Sequence, residues 1–479
     1  MEKEKLNSEQ KPKIKKVLLV GPPSSVEVYK ESKITEAISI IPNIGLGCLA
    51  ATLLEKNHEV RILDLVLYRN PLNKFRQELK EFNPDFVGIS FTTPLYNEMK
   101  ILAKITKEYD KNIIVMGGGP HSTSLPEQTL EDSELDIAVV GEGDYTIVEI
   151  VENKNLSKVK GIAYKKNNKI ILTEKREPIK NMDDLPFPAW KLFEISKYRA
   201  PKIRAKANPV GSLETSRGCP FQCTFCNKLV QGVNFRPKSA KRVVDEIEYM
   251  LDCGFKEVHI QDDGFTTNIN RAIEICDTIL KRKLKFTWNI ANGVRVDRVN
   301  EEFFIKAKKA GCHSIGFGIE SGSQMILDSI NKRTTLADIR KAIKLCKKAG
   351  IESVGYIIIG LPKDTEKTIR ETINFAKSLD LDMAKATLLM PFPGTAVFKE
   401  LDEQGLILSK DWNKYNYHSS SAKEVFTHPN LDWDTLFNYQ NKFYKEFYFR
   451  PKKIFEEAVR SIKDGSLFYK AKVMLKTKW

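Results

Sequence analysis

Between residues 16 and 143 the chain alternates short apolar runs with longer amphipathic stretches. The runs are KVLLVGPP (16–23), HEVRILDL (58–65), DFVGISF (85–91), NIIVMGGG (112–119) and DIAVVGEG (136–143). Each is rich in β-branched or aliphatic residues, and most stop at Gly or Pro, which is how buried strands read. Between them, GLGCLAATLLEKN (45–57) and LYNEMKILAKITKEYD (95–110) read as helices. This alternation predicts a doubly wound parallel α/β sheet with helices on both faces. Ligands of such sheets sit beyond the carboxyl ends of the strands. Three glycine-bearing loops fall there: GISFTT with Gly88 and Ser90, GGGPH with Gly117, Gly118 and Gly119, and GEGD with Gly141 and Gly143. Bare backbone admits close approach of a large ligand or its phosphate. Ordinary tight turns are the competing reading.

Residues 156–205 read as a connector, with a small hairpin and then a proline-rich crossing segment, NNKIILTEKREPIKNMDDLPFPAW (167–190). A second strand–helix series occupies 206–400. Its strands are GSLET, KEVHIQD, KFTWNIA, HSIGFGI, ESVGYIII and MAKATLL. Helices follow at about 239–252, 268–281, 300–310, 323–349 (broken), 365–379 and 395–403, giving six βα units. The unusual polar residues come just after the strands: a cysteine loop, Asp262 and Asp263, Asn292 and Arg295, Glu320, Gly360–Pro362 and PFPGT (391–395). In a βα barrel these ends form one face, where active sites are assembled from several loops. Residues 401–479 read as a small, mostly helical region.

Composition narrows the class. The chain has 479 residues, 42% of them hydrophobic, enough for two or three packed domains. The charged start, MEKEKLNSEQKPKIKK, lacks an apolar core, so no secretory leader is expected, and no run of 18 apolar residues predicts a membrane span. Cys48, Cys253, Cys276, Cys312 and Cys346 are scattered without motif and read as reduced core thiols of a cytoplasmic protein. Net charge is +15. Residues 441–479 hold eleven Lys or Arg against four Asp or Glu, together with nine aromatics. Such a tail suits peripheral contact with anionic lipid; a packed helical appendage with a solvated lysine face is the alternative.

The candidate chemistry lies in SRGCPFQCTFCNK (216–228), where Cys219, Cys223 and Cys226 fall within eight positions. At this chain's cysteine frequency the spacing has roughly 0.002 expected occurrences by chance. Three is odd for disulfides, and the segments between are too short to loop back. Zinc wants a fourth ligand, which Cys253 or a histidine would have to supply. Three close thiolates suit a four-iron four-sulfur cubane with one iron left open.

With these motifs in place, residues 206–400 resemble the core of a radical S-adenosylmethionine (radical SAM) enzyme, a partial (β/α)6 TIM-type barrel. ETSRGCPFQCTFCN, QDDGFTTN, GFGIESGS, GYIIIGLP and PFPGT carry the resemblance. Residues 1–155 resemble the Rossmann-like, flavodoxin-like cobalamin-binding domain fused to one branch of that superfamily. This branch includes radical SAM methyltransferases and the anaerobic Mg-protoporphyrin monomethyl ester cyclase. The resemblance implies that Cys219, Cys223 and Cys226 ligate three irons and that the fourth binds the amino and carboxylate groups of S-adenosylmethionine. Reductive cleavage then yields a 5′-deoxyadenosyl radical. It implies that Asp262 and Asp263 meet the amino group, Arg295 the carboxylate and Glu320 the ribose hydroxyls; Glu214 and Arg217 flank the cluster, and the seven loop residues named above face cobalamin. Corrinoid domains with a histidine lower ligand carry D-x-H-x-x-G, which is absent here; His58 falls at the wrong edge and His121 outside the motif. The corrinoid is therefore expected without a histidine axial ligand.

The leading expectation is a radical SAM enzyme, a cobalamin-dependent methyltransferase, that modifies an unactivated carbon of a small molecule or lipid, with an electron donor such as flavodoxin or ferredoxin. Oxidative ring closure is the alternative. RNA methylthiotransfer would need a second set of three cysteines in the N-terminal domain, which has Cys48 alone, so no nucleic acid is expected. A non-catalytic corrinoid carrier would need neither the triad nor the rim acids. The substrate and the residues that act on it are not readable.

Overall fold

A computed structural model of the chain describes residues 13–23, 39–153, 155–167, 169–416 and 421–463. The five apolar runs form β1 (Lys16–Gly21), β2 (Glu59–Asp64), β3 (Phe86–Ser90), β4 (Ile114–Gly118) and β5 (Ile137–Val139). They pair in parallel in the order β2-β1-β3-β4-β5, so the sheet is the expected doubly wound one. Val17 to Val20 are wholly buried because β1 is central and covered on both faces. The winding reverses between β1 and β3, and a crevice beyond the strand ends is the usual consequence.

The connector does hold a hairpin, β6 (Ile162–Lys166) and β7 (Lys169–Leu172), whose first strand lies ahead of the stretch 167–190 in which it was expected. It is not a free-standing connector: β6 pairs antiparallel with β5, so the hairpin extends the first sheet to seven strands. The proline-rich segment after it crosses to the second unit. Gly47 lets it press onto the helix Ile44–Glu55, since a Cβ there would lie 3.1 Å from Pro188. Trp190, wholly buried, meets Phe255 edge-on at 5.4 Å and welds the crossing to the barrel.

In the second unit, β8 (Val210–Leu213) is followed by the two-residue strands β9 (Ser216–Arg217) and β10 (Arg236–Pro237). Then come β11 (Glu257–Ile260), β12 (Thr287–Val294), β13 (Cys312–Glu320), β14 (Glu352–Ile359) and β15 (Met383–Leu388). Strands β8, β11, β12, β13, β14 and β15 are parallel neighbours in chain order, six βα units of a partial barrel. Helices Ala240–Asp252, Ile269–Lys281, Glu301–Lys309, Leu336–Lys348, Glu366–Ser378 and Ala396–Glu403 open on Ser239, Asn268, Asn300, Thr335, Thr365 and Thr395. Each of these side chains accepts the third helical N–H. Such caps contribute about 1 kcal/mol apiece and fix where each loop leaves the rim.

Strand β15 is an edge, and the helix Trp433–Tyr448 covers it. Tyr444 accepts from Ala386 N (3.2 Å) and donates to Ala386 O (3.0 Å). Tyr448 does the same at Ala384 (3.0 and 2.8 Å). Four residues of helix and two of strand each span about 6 Å, so an i, i+4 tyrosine pair matches alternate strand residues. Phe443 and Phe447 on this helix are wholly buried. Four of the tail's aromatics thus belong to the barrel's packing.

Candidate active site

The cysteine loop leaves the barrel after β8 and is pinched at its base by the β9–β10 ladder, in which Arg217 and Arg236 are partners. Gly218 turns the chain into the loop at φ +79°, and a Cβ there would meet Asn234 O at 2.2 Å. Within the loop, the Arg295 guanidinium stacks on the Phe221 ring at 3.7 Å. Thr224 N donates to Ile330 O (3.1 Å) and Thr224 O accepts from Val397 N (3.1 Å). Asn227 Nδ2 donates both to Ser124 Oγ (2.8 Å) and to Pro393 O (2.9 Å). Asn227 therefore joins the cysteine loop, the loop after β4 and PFPGT at one point.

All three loop cysteines are free thiols. Burial pushes Cys226 up to about 12 and raises Cys219, with Lys228 pulling both back. Such thiols ionise when a metal supplies the missing positive charge. Among the described residues no three His, Cys, Asp or Glu are placed to hold a single metal ion. Cys253 caps the far end of the helix Ala240–Asp252, on the opposite face of the barrel, so it is not a fourth ligand for zinc. A cubane instead takes each cysteine on a different iron, which is what this soft donor set fits.

The rim acids divide by role. Asp262 is 1% exposed, and its oxygens accept from Thr215 N (2.6 Å), Thr215 Oγ1 and Ser216 Oγ (both 2.5 Å). Through these bonds Asp262 braces the strand that launches the cysteine loop. Asp263 is left to face the mouth; enclosure there, then the charges of Glu214 and Asp262, push it up to about 6. Glu320 sits at φ +60° on the end of β13 and accepts from Lys332 Nζ at 2.7 Å, both side chains nearly buried. Lys332 carried no sequence signal. Arg295 is tied to Asp297 (3.0 Å) and Arg333 O (3.2 Å), with Nη1 buried and unpaired. Asn292 is bulged out of β12 and donates to Gln261 O (2.7 Å).

The first sheet presents its loop edge to this mouth. Gly141 (φ +84°) is bare, with nothing within 4 Å of where a Cβ would stand. Gly118 would touch only Val139, Gly143 meets Leu49, and Ser90 is half-buried at the end of β3. Gly119 makes its turn at φ +122° against Phe91 O. Gly88 and Gly117 depart from the expected cradle: a Cβ would strike Leu19 (2.9 Å) and Leu135 (2.6 Å), so they are bare for packing inside the sheet. His121 is wholly buried between Tyr96 (4.6 Å) and Trp412 (5.3 Å), its Nδ1 3.2 Å from Thr93 Oγ1 and its Nε2 without a partner. Burial lowers it to about 4. An open glycine edge with its one histidine walled in by rings suits a large planar ligand held without an imidazole below it.

Behind the edge lies a buried ion network. Arg217 donates to both oxygens of Asp144 (2.7 and 3.1 Å) and to Glu214 (2.6 Å). Arg236 donates to both oxygens of Glu142 (3.0 and 2.7 Å). Burial alone would raise Asp144; the Arg217 guanidinium overrides it and holds the carboxyl below its usual range. Glu142 and Asp144 come from GEGD, and Arg217 and Arg236 from the base of the cysteine loop.

Fold and site together define a class: a doubly wound ligand-binding sheet docked, loop edge first, on the cysteine-bearing mouth of a partial barrel. Residues 34–151 match the B12 binding domain family and residues 213–376 the radical SAM superfamily. The chain is 35% identical over 453 residues to an uncharacterised methyltransferase of Pyrococcus horikoshii, covering 93% of this chain and 95% of that one. It is 31% identical over 358 residues to the anaerobic magnesium-protoporphyrin IX monomethyl ester cyclase of Rubrivivax gelatinosus, covering 72% and 63%. In fold it is similar to the cobalamin-dependent S-adenosylmethionine radical enzyme OxsB with aqua-cobalamin bound, with a TM-score of 0.73 and 19% identity over 95% of this chain and 72% of that one. The chain belongs to the radical SAM enzymes that carry a cobalamin-binding domain. It is an enzyme whose cofactors are a four-iron four-sulfur cluster, S-adenosylmethionine and cobalamin.

Proposed function

We propose that this enzyme transfers a methyl group to an unactivated carbon of a small molecule or lipid. The observation that carries this is the meeting of the open glycine edge and the cysteine loop at one junction, joined by Asn227–Ser124 and by the Arg217 and Arg236 pairs. Bound there, the cofactors supply radical generation and a transferable methyl group. The chain's own residues bind, orient and exclude water. Cys219, Cys223 and Cys226 hold the cluster. Asp263 takes the ammonium of S-adenosylmethionine, as a carboxylate suits an ammonium. Arg295, through its unpaired Nη1, takes the carboxylate, and Glu320, aligned by Lys332, accepts from the ribose. Residues 1–155 serve as the corrinoid unit and 206–400 as the catalytic barrel; a flavodoxin- or ferredoxin-like protein delivers the electron.

The similarity to the cyclase keeps one alternative, oxidative ring closure. Extract of a strain lacking the gene, incubated anaerobically with holoenzyme and S-adenosylmethionine bearing a trideuteriomethyl group, separates the two. Methyl transfer yields a product carrying the label. An unlabelled, oxidised product means ring closure.

Among the described residues no helix is long and apolar enough to cross a membrane. Contact with an anionic membrane surface is nevertheless part of this reading. The helix Pro451–Lys463 exposes Ile454 (47%), Phe455 (70%) and Ile462 (67%) beside the exposed Lys452. Residues 464–479, which carry four more lysines, lie outside the described residues. Each lysine near anionic lipid contributes about 1 kcal/mol. Co-sedimentation with anionic vesicles is expected for the wild type and lost in Phe455→Glu/Ile462→Glu; equal sedimentation of both removes this part of the reading.

A further inference from the structure

The ion network at the junction does more than neutralise buried charge. Its two bidentate pairs join acids of one unit to bases of the other. Glu142 and Asp144 leave β5 in the loop edge of the first sheet; Arg217 and Arg236 are the paired residues that close the base of the cysteine loop. Arg217 is two residues from Cys219, separated from it by the tightly turned Gly218. Both arginines grip their acids with two nitrogens on two oxygens, a geometry that fixes direction as well as distance. Apart from Arg236 Nε, which is buried without a partner, the remaining valences are also spent inside the junction. Glu214 accepts from Arg217 and from Gln231 Nε2 (2.9 Å), Arg236 donates to Ile179 O (2.7 Å) and Gln231 O (2.6 Å), and Glu142 accepts from Ile179 N (2.7 Å). All four principal side chains are less than a tenth exposed. Well-packed apolar residues of the same size would hold two domains together at least as firmly. What they would lack is a single register.

We propose that Glu142, Asp144, Arg217 and Arg236 are positioning residues that lock the corrinoid-bearing edge onto the base of the cysteine loop and thereby set the separation of corrinoid and cluster. This rests on the reading that the corrinoid lies at that edge. A shift of GEGD is carried through the guanidinium pairs into the β9–β10 ladder and so into Cys219, with no soft element between.

Two measurements test it. In hydrogen exchange on the protein as purified, Arg217→Gln is expected to speed exchange in 141–149 and 214–237 together, roughly a hundredfold at amides protected by the junction, because Asp144 is left buried without its guanidinium. Arg217→Lys should fall between. Unchanged exchange in either segment overturns the lock. In the holoenzyme, pulsed electron paramagnetic resonance between the reduced cluster and cob(II)alamin reads their separation. The wild type is expected to give one narrow distribution, and Arg217→Gln and the milder Glu142→Gln a broader or longer one at unchanged iron and corrinoid content. Glu257→Gln, which weakens the buried Glu257–His313 pair at the opposite end of the barrel strands (2.8 Å), is the control and should leave it narrow. A distribution as narrow in Glu142→Gln as in the wild type, or equally broadened in the control, overturns the proposal. Loss of corrinoid alone from Glu142→Gln also overturns it, since the loop would then be a direct contact. Wild-type protein that retains no corrinoid refutes the edge reading instead, and the exchange result still decides the lock.

Discussion

At the scale of single residues, two carboxyls held near a pKa of 6 give opposite readouts. Asp263 faces the mouth and is raised to about 6 by enclosure and by Glu214 and Asp262. If it receives the ammonium of S-adenosylmethionine, its ionised form is the binding form, so affinity should tighten as the pH rises through about 6. Equilibrium binding to reconstituted enzyme checks this; Asp263→Asn should bind weakly and without that pH dependence. Asp64 is buried beneath Tyr198, whose hydroxyl donates to it at 2.9 Å, and burial raises it from 3.8 to about 6. Between those values the folded carboxyl keeps its proton while the unfolded one releases it. Asp64 thus contributes stability below about 4 that is lost as the pH rises to about 6. Comparing the unfolding midpoint of wild type and Asp64→Asn across that window should show a fall specific to the wild type. Neither role was written in the residue type. Asp262 and Asp263 are adjacent and chemically identical; only the Thr215 and Ser216 partners, 47 and 46 positions away, send one inward.

At the scale of elements, periodicity was sufficient and long-range pairing was not. Every strand expected from a run of apolar residues formed within a few positions of its reading, because alternation and Gly or Pro stops are local signals. The hairpin at 162–172 was readable as a hairpin, but its partner β5 was not, since pairing is set by what else needs an edge covered. The same holds for Tyr444 and Tyr448. In the sequence they belong to a basic, aromatic tail; in the fold they satisfy four backbone groups of β15. Removing the Tyr448 hydroxyl takes the partner from the N–H and C=O of Ala384; removing that of Tyr444 takes it from the Ala386 N–H, since Gln440 Nε2 also donates to Ala386 O (3.1 Å); each loss costs about 1–3 kcal/mol. Tyr444→Phe/Tyr448→Phe should lower the denaturant midpoint with each single variant between, whereas Phe455→Glu on the exposed helix face should leave it near the wild-type value. Equal effects of the two would mean that the hydroxyls do not secure the edge.

At the scale of the whole molecule, two units share one core and one junction. Trp190 belongs to neither sheet, yet packs on Phe255 of the barrel and beside Phe193 (5.4 Å) against the first helix. Trp190→Ala should cost about 3–5 kcal/mol and, because both units lose a neighbour, split a single unfolding transition into two by calorimetry. The cysteine triad named the cluster from the sequence because its spacing is local. Asn227, Lys332 and Arg236 went unnoticed because their meaning lies in partners up to 166 positions away. Before any transfer, this chain must build a cluster able to cleave S-adenosylmethionine. Anaerobically reconstituted enzyme, reduced with dithionite and given S-adenosylmethionine, is assayed for 5′-deoxyadenosine beside Cys223→Ala. About four irons per chain and steady 5′-deoxyadenosine are expected from the wild type, and no 5′-deoxyadenosine from the variant. Equal 5′-deoxyadenosine from both would mean that the three cysteines do not hold the cluster that cleaves S-adenosylmethionine.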